Sequence, residues 1–265
     1  MTESQPRATE SSFPKVRAVT FGDLHDVLRS GWADFRKAPM YGLFFAAVYA
    51  AGGVVLVAAV TAWDMRWLSY PLVIGFALIG PFIATGLYEV SRRLETNSAL
   101  SWREVLGVVW DQHRRELGWM AIVMLFVFWI WMYQARTLFA VFFGSQGFAT
   151  YDGFAEAVLT TTNGWTFLIV GHIVGAVISM ILFALTVVSC PLLLEREVDF
   201  ITAMITSVRA VLKSPVVMGS WGLFVVVSVM LSAIPAFLGL LVVLPVLGHA
   251  TWHLYHRAVE PEAER

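Results

Sequence analysis

Long apolar runs recur along the chain and predict membrane-spanning helices. A helix needs about 20 apolar residues to cross the hydrocarbon core of a bilayer. Runs of that order occur throughout the sequence and are separated by short polar segments. We predict six spans, over residues 40–62, 70–88, 117–133, 165–188, 216–233 and 236–255.

The last two spans come from one uninterrupted apolar stretch. Val216–Tyr255 contains no Asp, Glu, Lys or Arg over 40 positions. As a single helix it would be about 60 Å long, which is twice the thickness of the hydrocarbon core. Pro235 removes a helix hydrogen bond. The stretch is therefore predicted to fold back at Pro235 as a tight hairpin.

Three shorter segments place apolar residues at helical spacing on one face only. They cover residues 21–36, 101–114 and 200–213, and each precedes a predicted span. Ser101 and Glu104 have the spacing of a capping box, and Asp199 is a candidate N-cap. Short amphipathic helices that carry basic residues are typical of the membrane interface.

The pattern as a whole predicts an all-α integral membrane fold with six transmembrane helices and three amphipathic interfacial helices. Three parallel two-span repeats are expected, at about 20–88, 100–190 and 199–257, within a single domain over 20–257. The flanking residues are predicted to be cytoplasmic tails, and the first of these, 1–19, is predicted to be disordered because it is rich in Ser, Thr, Glu and Pro. An outer loop is expected over 134–164, with a short helix near 154–159.

The distribution of Lys and Arg predicts the orientation. With six spans, 16 of the 18 basic residues fall on one side, and only Arg66 and Arg136 fall on the other. Basic residues accumulate in cytoplasmic loops. Both termini are therefore predicted to be cytoplasmic, in a multi-pass protein of the bacterial inner membrane.

Composition supports the membrane assignment and excludes several functions. Hydrophobic residues make up 58% of the chain and charged residues 14%, whereas soluble proteins carry about 25% charged residues. The net charge of −1 does not favour nucleic acid as a partner. Cys190 is the only cysteine, so an internal disulfide and a Cys-based metal cluster are excluded. No apolar signal sequence precedes the first span.

Several motifs resemble a proteobacterial family of integral membrane proteins that is catalogued as a domain of unknown function. These motifs are Gly86-Leu87-Tyr88-Glu89-Val90-Ser91-Arg92-Arg93-Leu94-Glu95, Ser189-Cys190-Pro191-Leu192-Leu193-Leu194-Glu195-Arg196 and Gly248-His249-Ala250-Thr251-Trp252-His253. The resemblance covers about residues 20–257 and implies a topology without an established activity. Some members are labelled putative cytochrome c oxidase subunits. A catalytic haem–copper core needs more spans and more intramembrane histidines than this chain has.

Histidines supply the only hint of site chemistry. His249 and His253 are four residues apart and share one helix face. Together with His172 they are candidate ligands of zinc, copper or haem. Hydrogen bonding between helices is the favoured interpretation, so no cofactor is predicted and haem or copper is the alternative.

Glu89 is predicted to form an ion pair with Arg92 and Arg93 at the inner interface, since both lie within reach on one helix. No pattern of a catalytic nucleophile, phosphate loop or paired carboxylates is present. The favoured hypothesis is a non-enzymatic accessory or scaffolding protein, with the bilayer and respiratory complexes as its partners. A small permease-like transporter and a metal- or haem-handling factor are the alternatives.

Overall fold

The computed structural model describes residues 13–61, 83–112, 116–144 and 151–261. The regular secondary structure of these residues is helical apart from an isolated bridge between Val16 and Val259. The helices are α1 (Phe21–Lys37), α2 (Pro39–Thr61), α3 (83–95), α4 (Trp102–Gln112), α5 (Glu116–Phe143), α6 (Tyr151–Thr160), α7 (Thr162–Thr186), α8 (Ser189–Glu195), α9 (Phe200–Lys213), α10 (Pro215–Ala233) and α11 (Leu240–Ala258). The all-α fold class is therefore confirmed.

Four helical segments are long and apolar enough to cross a membrane, within the residues that the structure describes. They are Pro39–Ala59, Glu116–Phe143, Thr162–Glu195 and Pro215–Ala233. They correspond to the first, third, fourth and fifth predicted spans. Most of the second predicted span, 70–82, lies outside the described residues, and α11 does not qualify. The six-span count and the repeats remain predictions.

The helix of the third predicted span is longer than predicted, and the connection that follows it is correspondingly shorter. We expected the span to end at Tyr133, because Gln134 and Arg136 interrupt the apolar run. Instead α5 continues to Phe143, since isolated polar side chains on a helix surface do not break the backbone hydrogen-bond pattern. The expected short helix is present as α6, whose aromatic residues pack on α5 through Phe139 and Phe154.

The final hairpin turns over six residues and not at Pro235 alone. Residues 234–239 form the turn, in which Ala236 and Phe237 have φ values of 50° and 65°. Gly239 is required there, because a Cβ at this position would lie 2.7 Å from the backbone of Ser232. The helix in the region of the sixth predicted span therefore starts four residues later than predicted, at Leu240, and continues to Ala258.

The α11 helix packs against two different partners along its length. A Cβ on Gly42 in α2 would touch Pro245, and one on Gly53 would touch Phe237, so α2 and α11 run antiparallel. Beyond Pro245, α11 leaves the candidate span α2 behind and packs against α1, where Gly31 faces Ala250. The second half of α11 thus lies beside the amphipathic helix α1 and outside the candidate spans.

The three amphipathic segments form helices with the predicted caps. Ser101 accepts a hydrogen bond from the backbone N–H of Glu104, and Asp199 accepts one from that of Thr202. A capping box between Thr20 and Asp23, which the sequence analysis did not identify, begins α1. These bonds satisfy free N–H groups in the first turn of each helix and fix where the helix begins.

The segment before α1 is not a disordered tail from residue 13 onward. Arg17 donates its backbone N–H to Ala258 (2.8 Å), and Glu260 donates to Lys15 (2.9 Å). Val19 is buried and donates to the Ser214 hydroxyl (2.9 Å). The prediction was wrong for these residues because their polar composition conceals backbone pairing with the C-terminal end of α11. Residues 1–12 lie outside the described residues.

The best-packed core lies at the end of the bundle that contains α1, α8, α9 and the second half of α11. Trp252, Tyr255, Leu192 and Trp221 are almost fully buried there. The candidate spans, in contrast, bury only 17–33% of the residues in their most apolar windows. Among the described residues, most of the surface of the candidate spans is therefore not covered by other parts of the molecule.

Candidate functional site

A network of acidic and histidine side chains joins α1, α3 and α11 at the well-packed end of the molecule. His253 lies between two carboxylates, with Nε2 2.8 Å from Asp34 Oδ2 and Nδ1 3.0 Å from Glu95 Oε1. Both carboxylates can only accept hydrogen bonds when ionised. The imidazole therefore carries two N–H groups and a positive charge. We call Asp34, His253 and Glu95 the three-helix ion cluster, because one residue comes from each helix.

Asp34 is also bonded to the buried end of the network. Ser91 donates its hydroxyl proton to Asp34 Oδ2 (2.9 Å), and Ser91 Oγ lies 2.8 Å from His249 Nδ1. Since a serine hydroxyl has a single proton, His249 Nδ1 is the donor in the second contact. His249 and Ser91 have no exposed surface. A substrate cannot reach His249, so its geometry fits a structural contact.

The electrostatics of the cluster follow from this geometry. Burial alone would lower the pKa of His253, but its hydrogen bonds to Asp34 and Glu95 raise the pKa to about 9. Burial alone would raise the pKa of Asp34 and Glu95, but their hydrogen bonds with His253 hold both pKa values below the usual range. His249 has no carboxylate in direct contact, and burial lowers its pKa to about 4. One charged and one neutral imidazole thus occupy successive turns of α11.

The cluster continues toward the surface through a second set of contacts. Trp252 donates its indole N–H to Glu95 Oε2 (2.8 Å). His256 Nδ1 lies 3.9 Å from the same oxygen, and its Nε2 lies 3.1 Å from Glu195 Oε1. Tyr255 donates its hydroxyl to the other oxygen of Glu195. These contacts add α8 to the helices that are joined through α11.

The ion pair that the sequence predicts is present in α3. Arg92 donates through Nε and Nη2 to the two oxygens of Glu89 (2.7 and 3.0 Å), and Arg93 Nε donates to Oε1 (2.6 Å). Glu89 is completely buried, so two guanidinium groups are needed to offset its desolvation. Arg93 also donates to Glu104 (2.6 Å), which ties α3 to α4.

His172 is not part of the histidine network. It lies on α7, where its Nδ1 is 2.7 Å from the carbonyl oxygen of Leu168. His249 and His253 face α1 and α3 instead. Across the described ranges, the structure brings together no set of three or more His, Cys, Asp or Glu side chains that could hold a metal. The three candidate ligands are therefore not assembled into one site.

Sequence reasoning missed the partners of His253. Asp34 was not singled out, although it is a carboxylate on the buried side of α1 next to Phe35. An acidic residue within the apolar face of an amphipathic helix was the available signal, because a buried charge requires a partner. Glu95 was noted only as part of a family motif.

A second candidate site is a groove between α5 and α7 with a volume of about 480 Å³. It is lined by Trp131, Gln134, Ala135, Leu138, Phe167, Leu168, Gly171, His172, Val174, Gly175 and Ala176. We call it the α5–α7 groove. A Cβ on Gly171 would meet no atom within 4 Å, and one on Gly175 would meet only the indole nitrogen of Trp131 at 3.9 Å. These glycines are therefore not explained by helix packing within the described part of the chain.

Comparison with known proteins identifies a similar family whose description states no activity. Residues 69–195 match the model of a family described as "Predicted integral membrane protein (DUF2189)". This confirms the resemblance to a membrane protein family of unknown function, and the match carries neither a proteobacterial origin nor a link to cytochrome c oxidase. No curated protein and no solved structure matches the chain.

Proposed function

We propose that this integral membrane protein is a non-enzymatic accessory protein of the bacterial inner membrane that holds another membrane protein by one of its transmembrane helices. The observation that supports the proposal is the α5–α7 groove. It lies between two candidate spans, is mainly apolar, and contains two glycines with open space beside them. The ion clusters at the other end of the spans hold helices together, and no other helix of the described residues lines this surface.

A helix is the occupant that fits the groove. In hydrocarbon, a protein segment must satisfy its backbone hydrogen bonds internally, which restricts a single inserted segment to a helix. Small residues spaced four apart, such as Gly171 and Gly175, allow two helix backbones to approach closely. Gln134 and His172 add polar atoms to the apolar wall, and side chains of these types form hydrogen bonds between membrane helices.

The lining of the groove favours this function over the two alternatives. A transporter requires a polar path for its substrate, whereas the groove walls are mostly Leu, Val, Ala, Phe and Gly. A metal- or haem-handling factor requires convergent ligands, whereas His172 lies in the groove and His249 and His253 lie in the α1–α3–α11 network. Respiratory complexes are the partner class that we propose to test first.

Filling the groove is expected to abolish partner binding without unfolding the protein. In Gly171→Leu the new side chain enters open space, and leucine has a higher helix propensity than glycine. We expect an unchanged melting temperature and a loss of at least tenfold in the membrane proteins recovered with a tagged chain from native membranes. Mild-detergent purification followed by quantitative mass spectrometry measures both the partner and its loss.

Gly219→Leu is the matched control for this experiment. Gly219 lies in α10, another candidate span, and its Cβ would meet only the flexible end of Met180 at 3.9 Å. This variant should keep the partner. If the parent and Gly171→Leu recover equal amounts of the same membrane proteins, the proposed function is contradicted. If the protein lost from Gly171→Leu is a second, differently tagged copy of this chain, the partner is the chain itself.

Orientation is tested separately, by the accessibility of single cysteines in a Cys190→Ala background. The placement of basic residues puts Ser98 in the cytoplasm and Ser145 outside. A thiol reagent that does not cross membranes should label Ser145→Cys in intact spheroplasts and label Ser98→Cys only after the membrane is permeabilised. The opposite pattern would reverse the proposed topology.

A further inference from the structure

The two sides of α1 differ in the sign of their charge. All three of its acidic residues have cationic partners on α11: Asp34 contacts His253 at 2.8 Å, and Asp23 and Asp26 lie 3.4 and 3.8 Å from Arg257. Arg29, Arg36 and Lys37 are exposed and form no ion pair with any other described residue. The face of α1 that points away from α11 is therefore basic.

That outward face also carries aromatic residues. Phe21, His25, Arg29, Trp32 and Arg36 follow one another at intervals of three or four residues and so line one side of the helix. Phe21 and Trp32 expose 59% and 45% of their surface. His25 lies 3.9 Å from Asp26. We call this set the basic–aromatic face of α1.

The character of this surface changes where α2 begins. Only Ala38 separates α1 from α2, and the large exposed side chains in the first part of α2 are Met40, Leu43, Phe44 and Val48. From Pro39 onward, the exposed surface is apolar and belongs to a candidate span. A bilayer crossed by this candidate span would therefore have its boundary between hydrocarbon and headgroups next to Arg36 and Trp32, and Trp and Arg are side chains expected at such an interface.

We propose that the basic–aromatic face of α1 binds the headgroups of anionic phospholipids, with Arg29 and Arg36 contacting lipid phosphate and Trp32 lying against the upper acyl region. Charge complementarity supports this ligand. The acidic residues of α1 are paired with α11 on the opposite side of the helix, so the outward basic side chains are free to attract an anionic headgroup. Position supports it as well, because the face leads directly into a candidate span. A soluble protein partner would not account for the continuity between this face and the apolar surface of α2.

Photocrosslinking in vesicles tests the inference on the full chain. The protein is reconstituted in phosphatidylcholine vesicles that contain either a diazirine-bearing phosphatidylglycerol or phosphatidylcholine with the same diazirine. Peptide mass spectrometry then quantifies crosslinks to residues 29–44. We expect more crosslinks to phosphatidylglycerol than to phosphatidylcholine. The double variant Arg29→Gln/Arg36→Gln should lower the ratio of phosphatidylglycerol crosslinks to phosphatidylcholine crosslinks by about fivefold for each arginine removed.

Arg7→Gln/Lys15→Gln is the control, because it removes the same net charge ahead of α1. It should keep the parental crosslinking ratio. Both replaced arginines are exposed, so the double variant should keep the helical circular dichroism and melting temperature of the parent. Equal crosslinking of the two lipids in the parent, or an unchanged ratio in the double variant, would overturn the inference.

Discussion

Replacing His253 with glutamine is expected to lower the free energy of unfolding by roughly 3 kcal/mol, since removing one partner of a buried ion pair leaves uncompensated charge behind. In this protein the substitution leaves the carboxylate of Asp34, whose side chain is only 7% exposed, without its positive partner. It also removes one of the contacts that compensate the charge of Glu95. The expected decrease in melting temperature is on the order of 10 °C. Intrinsic tryptophan fluorescence during heating in mild detergent measures it.

A second substitution distinguishes lost charge compensation from lost packing. Adding Asp34→Asn to His253→Gln removes the uncompensated carboxylate and allows an amide–amide hydrogen bond at the same position. The double variant should be more stable than His253→Gln alone, which appears as a favourable coupling term in a double-mutant cycle. Additive destabilisation would contradict the charged imidazole that the geometry assigns to His253.

The contribution of the cluster also depends on pH in a defined direction. Since the pKa of His253 is raised from 6.5 to about 9, its contribution to stability is complete below about pH 6.5 and is lost as the pH rises through 9. Since the pKa values of Asp34 and Glu95 are lowered, their contribution is present above about pH 4 and is lost as the pH falls below that. The parent should therefore exceed His253→Gln in stability most strongly between about pH 4.5 and 6.5.

The substitution Gly31→Leu is expected to displace α1 from α11. Any Cβ on Gly31 would lie 2.6 Å from two backbone atoms of α11, the nitrogen of Ala250 and the carbonyl oxygen of Val246. Backbone atoms within a helix cannot move aside as a flexible side chain can, so the clash must separate the helices. We expect a loss of stability of about 3 kcal/mol or more. Trypsin cleavage at Arg36 and Lys37 should become at least tenfold faster, because α1 loses its support.

Gly107→Leu is the control for helix propensity and added apolar surface. Gly107 lies in α4, another amphipathic helix, where a Cβ would meet nothing within 4 Å. It should leave both the melting temperature and the rate of cleavage in α1 unchanged. A Gly31→Leu protein with parental trypsin resistance would mean that α1 and α11 are not packed as closely as described.

Local sequence patterns predicted the helices better than they predicted where the spans end. The apolar spacing identified α1, α4 and α9 to within two residues, and the Ser101 and Asp199 caps were recognisable because their partners lie three residues away. The end of α5 was misplaced because single polar residues such as Gln134 do not stop a helix. The sequence also predicts that the second half of α11 lies in the membrane, because histidine, tryptophan and tyrosine carry no permanent charge. This helix is not among the candidate spans of the described residues, so that assignment stays a prediction.

In the candidate site, contacts within one helix could be predicted from the sequence, whereas contacts between distant segments could not. The ion pair of Glu89 with Arg92 and Arg93 lies within one turn of α3 and could be predicted from spacing. His253 and Asp34 are separated by 219 positions, so neither residue reveals its partner without the fold. The α5–α7 groove depends on the orientation of two helices, and the sequence shows only that Gly171 and Gly175 share a face.

The packing of α1 on α11 also has a consequence for biosynthesis. The first described helix finds its principal partner in the last one, so a ribosome must translate and insert everything between them before Asp34 meets His253 and Gly31 meets Ala250. Until then, the nascent chain carries an uncovered carboxylate beside an apolar stripe, a combination that membrane proteases and chaperones can recognise. The contacts that cover Asp34 and Gly31 therefore form only after α11 has been synthesised, although both residues lie in the first described helix.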